Sequence, residues 1–321
     1  MTRLQIFKKI LPSLLALVLA AGMTAASELL HNREILFPEI TAIAIGALAA
    51  PVQPWHTSRL RLLLTITAAA VIGVGLVVFL PAAPVFKVPL ALLCAVLCVT
   101  VSGTQFLPAV SACVLPVLMG TRSPVYIGSV VVMTSLILLL QHLLEQCGLR
   151  EKQHFVPIKP DRALICLRLR QILAAGVLCI LPVLTGEIFF VAPPLIVAFF
   201  ELSSPGAKSA QRLPQVACLL LLGAVTGVLT RFVLSTMLGL PLTVPAVLTC
   251  ALMLLLVSRM GLYFPPCGAI ATLPFLIPEQ ALVRFPFEIA AGTLLFIAAA
   301  RAVAGNGQML MRVRKLVSAL R

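Results

Sequence analysis

Apolar runs follow one another almost without pause from residue 10 to residue 303, and charged side chains hardly enter them. Twelve segments can be marked: 10–27, 36–50, 61–81, 88–102, 105–119 and 126–144, then 169–185, 188–202, 214–237, 242–258, 261–278 and 285–303. Backbone placed in hydrocarbon finds no water to bond, so runs of this kind become helices that satisfy their own N–H and C=O groups. A soluble domain needs a polar skin. A chain that is 61% hydrophobic and 11% charged cannot supply one. The sequence therefore reads as an all-α, polytopic helical membrane protein whose first partner is the lipid bilayer. Its longest polar stretch, about 146–170, is too short for a separate folded domain of about 50 residues.

The net charge of +14 is distributed in a way that assigns sides. Lys and Arg gather at residues 3–9, at Arg59 and Arg61, through 150–170, at Lys208 and Arg212, at Arg259, and from Arg301 to the end. Arg33, Lys87, Arg122, Arg231 and Arg284 fall near the opposite ends of the segments. This is the positive-inside pattern, and it places both termini in the cytoplasm of a bacterial inner membrane. It argues against nucleic acid as a partner, because no basic groove or aromatic platform accompanies the charge. Nine scattered cysteines form no metal-binding or redox spacing and read as small buried hydrophobes, so no metal or cofactor is expected. The first segment has the basic-then-apolar look of a signal peptide. The same pattern recurs in "RLRQILAAGVLCILPVLTGE" from Arg168, where no signal peptide could act, so a retained first span is expected.

The chain also reads as written twice. "GTQFLPAVSACVLPVL" from Gly103 aligns with "GLYFPPCGAIATLPFL" from Gly261, matching Gly103, Phe106, Pro108, Leu115, Pro116 and Leu118 to Gly261, Phe264, Pro266, Leu273, Pro274 and Leu276. Earlier landmarks follow in order: Glu34 with Glu187, Pro51 with Pro205, Gly73 with Gly227 and Pro89 with Pro245. The expected organisation is a first membrane repeat at 1–148, a basic cytoplasmic linker at 149–162, a second repeat at 163–305 and a basic amphipathic tail at 306–321. An even number of segments per repeat returns the chain to its starting side, so the repeats would be parallel. Segments two and five of each half are short or interrupted by proline.

Those interruptions point to function. Broken backbone survives in hydrocarbon only where it is buried in protein or lines a wet cavity, and paired breaks mark transport sites near the midplane. The candidate pathway residues are Thr104, Gln105, Phe106, Pro108 and Ser111 in the first half, with Tyr263, Phe264, Pro265, Pro266, Gly268 and Thr272 in the second. Half-helix N-termini there would offer free N–H groups and a positive dipole end to an anion. The same small residues would also serve tight helix packing. Glu39, Glu201 and Arg212 are the charged support, with Glu39 or Glu201 binding a proton or cation, or pairing with Arg59 or Arg212. Glu288 and Arg231 are expected to snorkel to an interface, and His142 to lie near one.

The stretch "SRMGLYFPPCGAIATLP" resembles the namesake motif of the HPP family of integral membrane proteins, His-Pro-Pro-Ala-Gly-Ala, with Phe264 in place of the His and Cys267 in place of the Ala. "FFELSSPGAKSAQRLPQ", carrying Glu201, Pro205, Gln211 and Arg212, resembles a second stretch of that family, and "ALAAPVQPWHTSRLR" is a fainter echo. The resemblance implies a helical membrane unit, some members being linked to nitrite transport, and a single-unit member would have to pair to make what this chain carries internally. Without the His, a titratable donor is lost. The resulting expectation is a transporter or channel for a small solute, foremost a small inorganic anion such as nitrite, with a non-transporting scaffold or assembly subunit as the competing reading. Homo-oligomerisation is left open. Enzyme chemistry is not expected, since the only Asp is Asp161 and the four His are dispersed.

Overall fold

A computed structural model describes the backbone of Arg3–Ala319 and the side chains of residues 10–305. Among the described residues the chain forms twelve α-helices and no strand. In order they are α1 (Arg3–Leu29), α2 (Glu39–Ala44, prolonged by a wider turn over Ile45–Ala49), α3 (Arg59–Phe79), α4 (Pro84–Val101), α5 (Pro108–Met119), α6 (Pro124–Gln146), α7 (Arg162–Thr185), α8 (Pro193–Leu202), α9 (Leu213–Thr230, prolonged over Arg231–Met237), α10 (Thr243–Met260), α11 (Pro266–Thr272) and α12 (Phe285–Ala319). Eight are long and apolar enough to cross a membrane: α1, α3, α4, α6, α7, α9, α10 and α12. Each of these buries one face and turns another outward, where Leu64, Phe79, Leu97, Leu139, Leu173 and Leu255 stand exposed for lipid. The chain is a polytopic helical membrane protein.

The other four helices are short, and each begins on or just after a proline. Pro38 precedes α2, Pro108 opens α5, Pro193 and Pro194 open α8, and Pro265 and Pro266 open α11. In a first turn proline gives up an N–H that would have no helical partner; further back it removes a helical hydrogen bond, as Pro116 does inside α5. At 1.5 Å per residue the 12 residues of α5 extend about 18 Å, and the 10 of α8 about 15 Å. Neither reaches across the ~30 Å of hydrocarbon. These short helices are the most deeply buried elements: nearly every residue of α2, α5, α8 and α11 is enclosed.

Packing is reciprocal about the linker. Helix α1 lies on α10 and α4 on α7; α2 lies on α11 and α5 on α8; α3 packs on α5 and α9 on α11. Two glycines permit the last pair of approaches. A Cβ on Gly73 would stand 2.9 Å from Pro116 Cγ and 3.0 Å from the Cys113 carbonyl carbon, with the carbonyl oxygen also in its way. On Gly227 it would meet Pro274 Cγ at 2.9 Å and the Ala271 carbonyl carbon at 3.0 Å, with the same obstruction from oxygen.

Polar groups tie down the broken backbone. Arg231 and Glu288 do not snorkel: they are 3% and 4% exposed. Arg231 Nη1 donates to the carbonyls of Pro274 and Ile277, which the end of α11 leaves without helical donors, and Glu288 accepts from the Phe189 N–H at 3.1 Å. Glu28, at the end of α1, accepts from the N–H groups of Leu242 and Thr243 and from the Thr243 hydroxyl, and so caps α10 from the far half of the chain.

The segment between α6 and α7 has no helix, yet it is held closely. Arg150 donates to the carbonyls of Gly46, Leu48 and Ala50 at the C-terminal end of α2, where a cation also suits the helix dipole. Burial lowers the Arg150 guanidinium from its ordinary range and Glu145 partly offsets this. Further along, the Val156 carbonyl bonds the His56 ring at 2.8 Å, Phe155 packs on that ring, and the Ile158 N–H donates to the Gly103 carbonyl at 2.9 Å. The expected amphipathic face of the 306–321 tail lies outside the residues whose side chains are described.

Candidate functional site

The four short helices converge on one small space. It is bordered by Glu39 of α2, Pro108 and Ser111 of α5, Pro194 of α8, and Pro265 and Pro266 before and at the start of α11. Its free volume is about 10 Å³, enough for about one water molecule. Glu39 is 1% exposed and is the only charged residue on this border. Ser111 Oγ donates to Glu39 Oε1, while Glu39 Oε2 has no partner. An isolated carboxylate in apolar surroundings is costly, and its second oxygen calls for a donor, a cation or a proton.

The expected ion pairs to Glu39 and Glu201 do not form. Arg59 reaches Glu145 instead, at 3.1 Å. Arg212 bonds Gln215 and the carbonyls of Met260 at 2.8 Å and Gly261 at 3.0 Å, so it caps the end of α10. Glu201 Oε1 accepts from Ser209 at 3.3 Å, and its Oε2 is buried without a partner. In both cases the guanidinium found groups at the rim of the bundle, which spares it the cost of following a carboxylate inward.

The expectation of free N–H groups also needs correcting. The prolines that open α5, α8 and α11 have no N–H, and the next donors there are already engaged. The Val110 N–H bonds the Leu107 carbonyl at 2.9 Å, Leu195 bonds Ala192 at 2.8 Å, Cys267 bonds Phe264 at 3.2 Å and Gly268 bonds Pro265 at 3.0 Å. What the starts of α5, α8 and α11 offer the central space is the positive end of their dipoles, without a ready donor.

Of the residues singled out from the sequence, Glu39, Pro108, Ser111, Pro265 and Pro266 border the central space. Gly268 and Thr272 face α2: a Cβ on Gly268 would stand 2.6 Å from Ile45 Cδ1, and the Thr272 hydroxyl donates to the Pro38 carbonyl at 3.1 Å. Phe106 and Phe264 are fully enclosed, Phe106 edge-on to Trp55 at 5.1 Å. Thr104 is buried against Ser102 at 2.8 Å; Gln105 is exposed and Tyr263 half-buried. These last five do not border the space. Pro194 does, and the Pro-Pro pair that opens its segment was the available signal for it. No protein-family model, curated protein or solved structure matches the chain.

Proposed function

We propose that this protein is a membrane transporter or channel for a small solute, and that the meeting point of the four short helices is its central site. The observation that carries the reading is the buried, half-partnered Glu39 among helices that start on proline inside the bundle. Half-spanning helices and an isolated carboxyl group both cost stability in hydrocarbon, and such features mark substrate or proton routes. The two halves, 1–148 and 163–305, act as parallel repeats joined by the 149–162 linker, a reading supported by the reciprocal pairing of α1 with α10 and α4 with α7. Membership of the HPP family, with both termini in the cytoplasm, belongs to the same proposal.

The solute proposed is a small inorganic anion such as nitrite. The dipole ends of α5 and α8 favour it, whereas an ionised Glu39 would repel it. A proton on Glu39 removes that repulsion, so the anion and a proton would travel together. The test is nitrite uptake into proteoliposomes with and without an inward proton gradient. The wild type should respond to the gradient, and Glu39→Gln should lose that response by at least about fivefold. Gradient-driven uptake that survives unchanged in Glu39→Gln overturns the role of Glu39.

One observation favours a scaffold instead: the centre is packed, with room for about one water. Absence of flux for every small anion tried, from protein that co-purifies with a partner, would establish that reading.

A further inference from the structure

Most carboxyl groups inside the bundle are fully engaged. Glu28 accepts three hydrogen bonds, Glu145 is held by Arg59 and Gln141, and Glu288 accepts from the Phe189 N–H. Among the described residues, only Glu39 and Glu201 have a carboxyl oxygen that is enclosed and without a partner. Glu39 belongs to the central site. Glu201, near the end of α8, does not border it.

Its placement connects it to that site nonetheless. Pro194 and Val197 of α8 border the central space, and Glu201 follows Val197 by four residues. Residues at this spacing share a helix face, and one such step advances about 6 Å along the axis. Glu201 therefore stands one turn beyond the space, in the direction of the end of α8. Its Oε1 accepts from Ser209 at 3.3 Å, in the turn between α8 and α9 where Lys208 and Arg212 gather. Ser209 is buried and Lys208 exposed, while Glu201 is half-buried. The carboxyl group thus lies between the centre and the basic rim.

Its protonation follows from its surroundings. The elements packed on α8 are α5, α7, α11, α12 and the turn at Ser209–Gln211. Cys267, at the start of α11, is the titratable neighbour. Arg168 of α7 turns Nη1 to Gln171 at 3.0 Å, and Arg212 is engaged at the end of α10. Glu201 takes part in neither ion pair found among the described residues. A carboxyl oxygen that meets no donor, cation or water is satisfied by a proton of its own.

We propose that Glu201 is a second proton-binding group, which holds a proton at rest and passes it between the central site and the rim carrying Lys208 and Arg212. The proposal rests on the transport reading and supplies the route of the coupled proton. Protons are conserved in the step. Glu201 releases its proton to water at the rim, and the carboxylate left behind takes the proton that Glu39 gives up as the solute departs. Rotation about the side-chain bonds of Glu201 turns the carboxyl from one partner to the other, and the water-sized central space bridges what remains of the gap. Chains of buried carboxyl groups serve proton relays in this way.

The test pairs infrared difference spectroscopy with uptake, using the full chain in lipid vesicles. At neutral pH the wild type should show carbonyl absorption from protonated carboxyl groups, which fades as the pH rises. Glu201→Gln copies the shape of the protonated acid and should lack one component of that absorption. Glu39→Gln should lack a different one. In proteoliposomes Glu201→Gln should reduce gradient-driven nitrite uptake by at least about fivefold. A wild type without protonated carboxyl absorption at neutral pH overturns the proposal without recourse to a variant. So do superimposable spectra of wild type and Glu201→Gln, or uptake at the wild-type rate in Glu201→Gln. If the wild type takes up no nitrite, the transport reading fails and the relay with it, while the infrared difference still decides whether Glu201 stores a proton.

Discussion

Replacing Gly227 by Ala is the most direct probe of how α9 meets α11. Carbon atoms in comfortable contact lie about 3.5–4.0 Å apart, and the added methyl would stand 2.9 Å from Pro274 Cγ and 3.0 Å from the Ala271 carbonyl carbon. The Ala271 carbonyl oxygen stands closer still, so one helix must retreat by roughly one ångström or more. The obstacle is main chain and a proline ring, neither of which can rotate aside, so the cost belongs at the upper end of the about 1–3 kcal/mol typical of overpacking. Ala also favours the helix over Gly by about 0.5–1 kcal/mol. The net expectation is a loss of about 2 kcal/mol. Gly73→Ala meets the same pair of obstacles, Pro116 and Cys113, and should lose about as much. Gly128→Ala on α6 is the control: nothing lies within 4 Å of its Cβ, so only the helix term acts and the variant should gain about 0.5–1 kcal/mol. Equilibrium unfolding in mixed detergent and denaturant would measure all three. If Gly227→Ala proves as stable as Gly128→Ala, the close approach of α9 to α11 is wrong, and with it the enclosure of the short helices.

Two further changes test the groups that hold broken backbone. Arg231→Met keeps the volume but strips the donors from the Pro274 and Ile277 carbonyls, and should cost about 2–4 kcal/mol of unfolding free energy; a variant as stable as wild type would mean that Arg231 turns outward. Glu28→Ala removes the acceptor for two N–H groups and a hydroxyl at the start of α10, and should cost about 1–3 kcal/mol. Amide exchange at Leu242 and Thr243 is the sensitive readout, and protection equal to wild type would refute the cap.

The helical membrane class and the position of the short elements were legible because proline acts locally. The prolines at 108, 193 and 266 fall in the first turns of α5, α8 and α11, where a missing N–H costs nothing, and the short apolar runs after them match these helices; Pro89 and Pro116, inside helices, show that proline alone does not mark a start. The charged residues were harder to place. Nothing in the order of residues shows that Arg212 finds the end of α10 rather than Glu201, or that Arg59 finds Glu145, 86 residues away. Such pairings depend on which helix ends come to lie side by side, and many carbonyls compete for each guanidinium. The ordered course of the linker was hidden for a related reason. Its composition is that of a polar loop, and its bonds run to Leu48, Ala50, His56 and Gly103, residues scattered along the first half.

The packed centre and the proposed transport are reconciled by the kind of contact that joins the two halves. Across the α2–α11 contact the specific bonds are few: the Thr272 hydroxyl to the Pro38 carbonyl at 3.1 Å is the one hydrogen bond joining these segments among the described residues. The rest is close apolar packing, with Gly268 against Ile45 and Thr41. Thr272 also bonds the Gly268 carbonyl at 3.0 Å within its own helix, so parting from Pro38 leaves its hydroxyl satisfied. Inside each half, by contrast, the glycine contacts at Gly73 and Gly227 lock α3 to α5 and α9 to α11 through main chain. The α2–α11 contact, which borders Glu39, is therefore held by little specific bonding, whereas α1 and α10 are tied by the three bonds from Glu28 to Leu242 and Thr243. A packed core changes by stepping between discrete arrangements and not by stretching, so under the proposed transport a shift of α11 away from α2 is the step that would expose the Glu39 carboxyl.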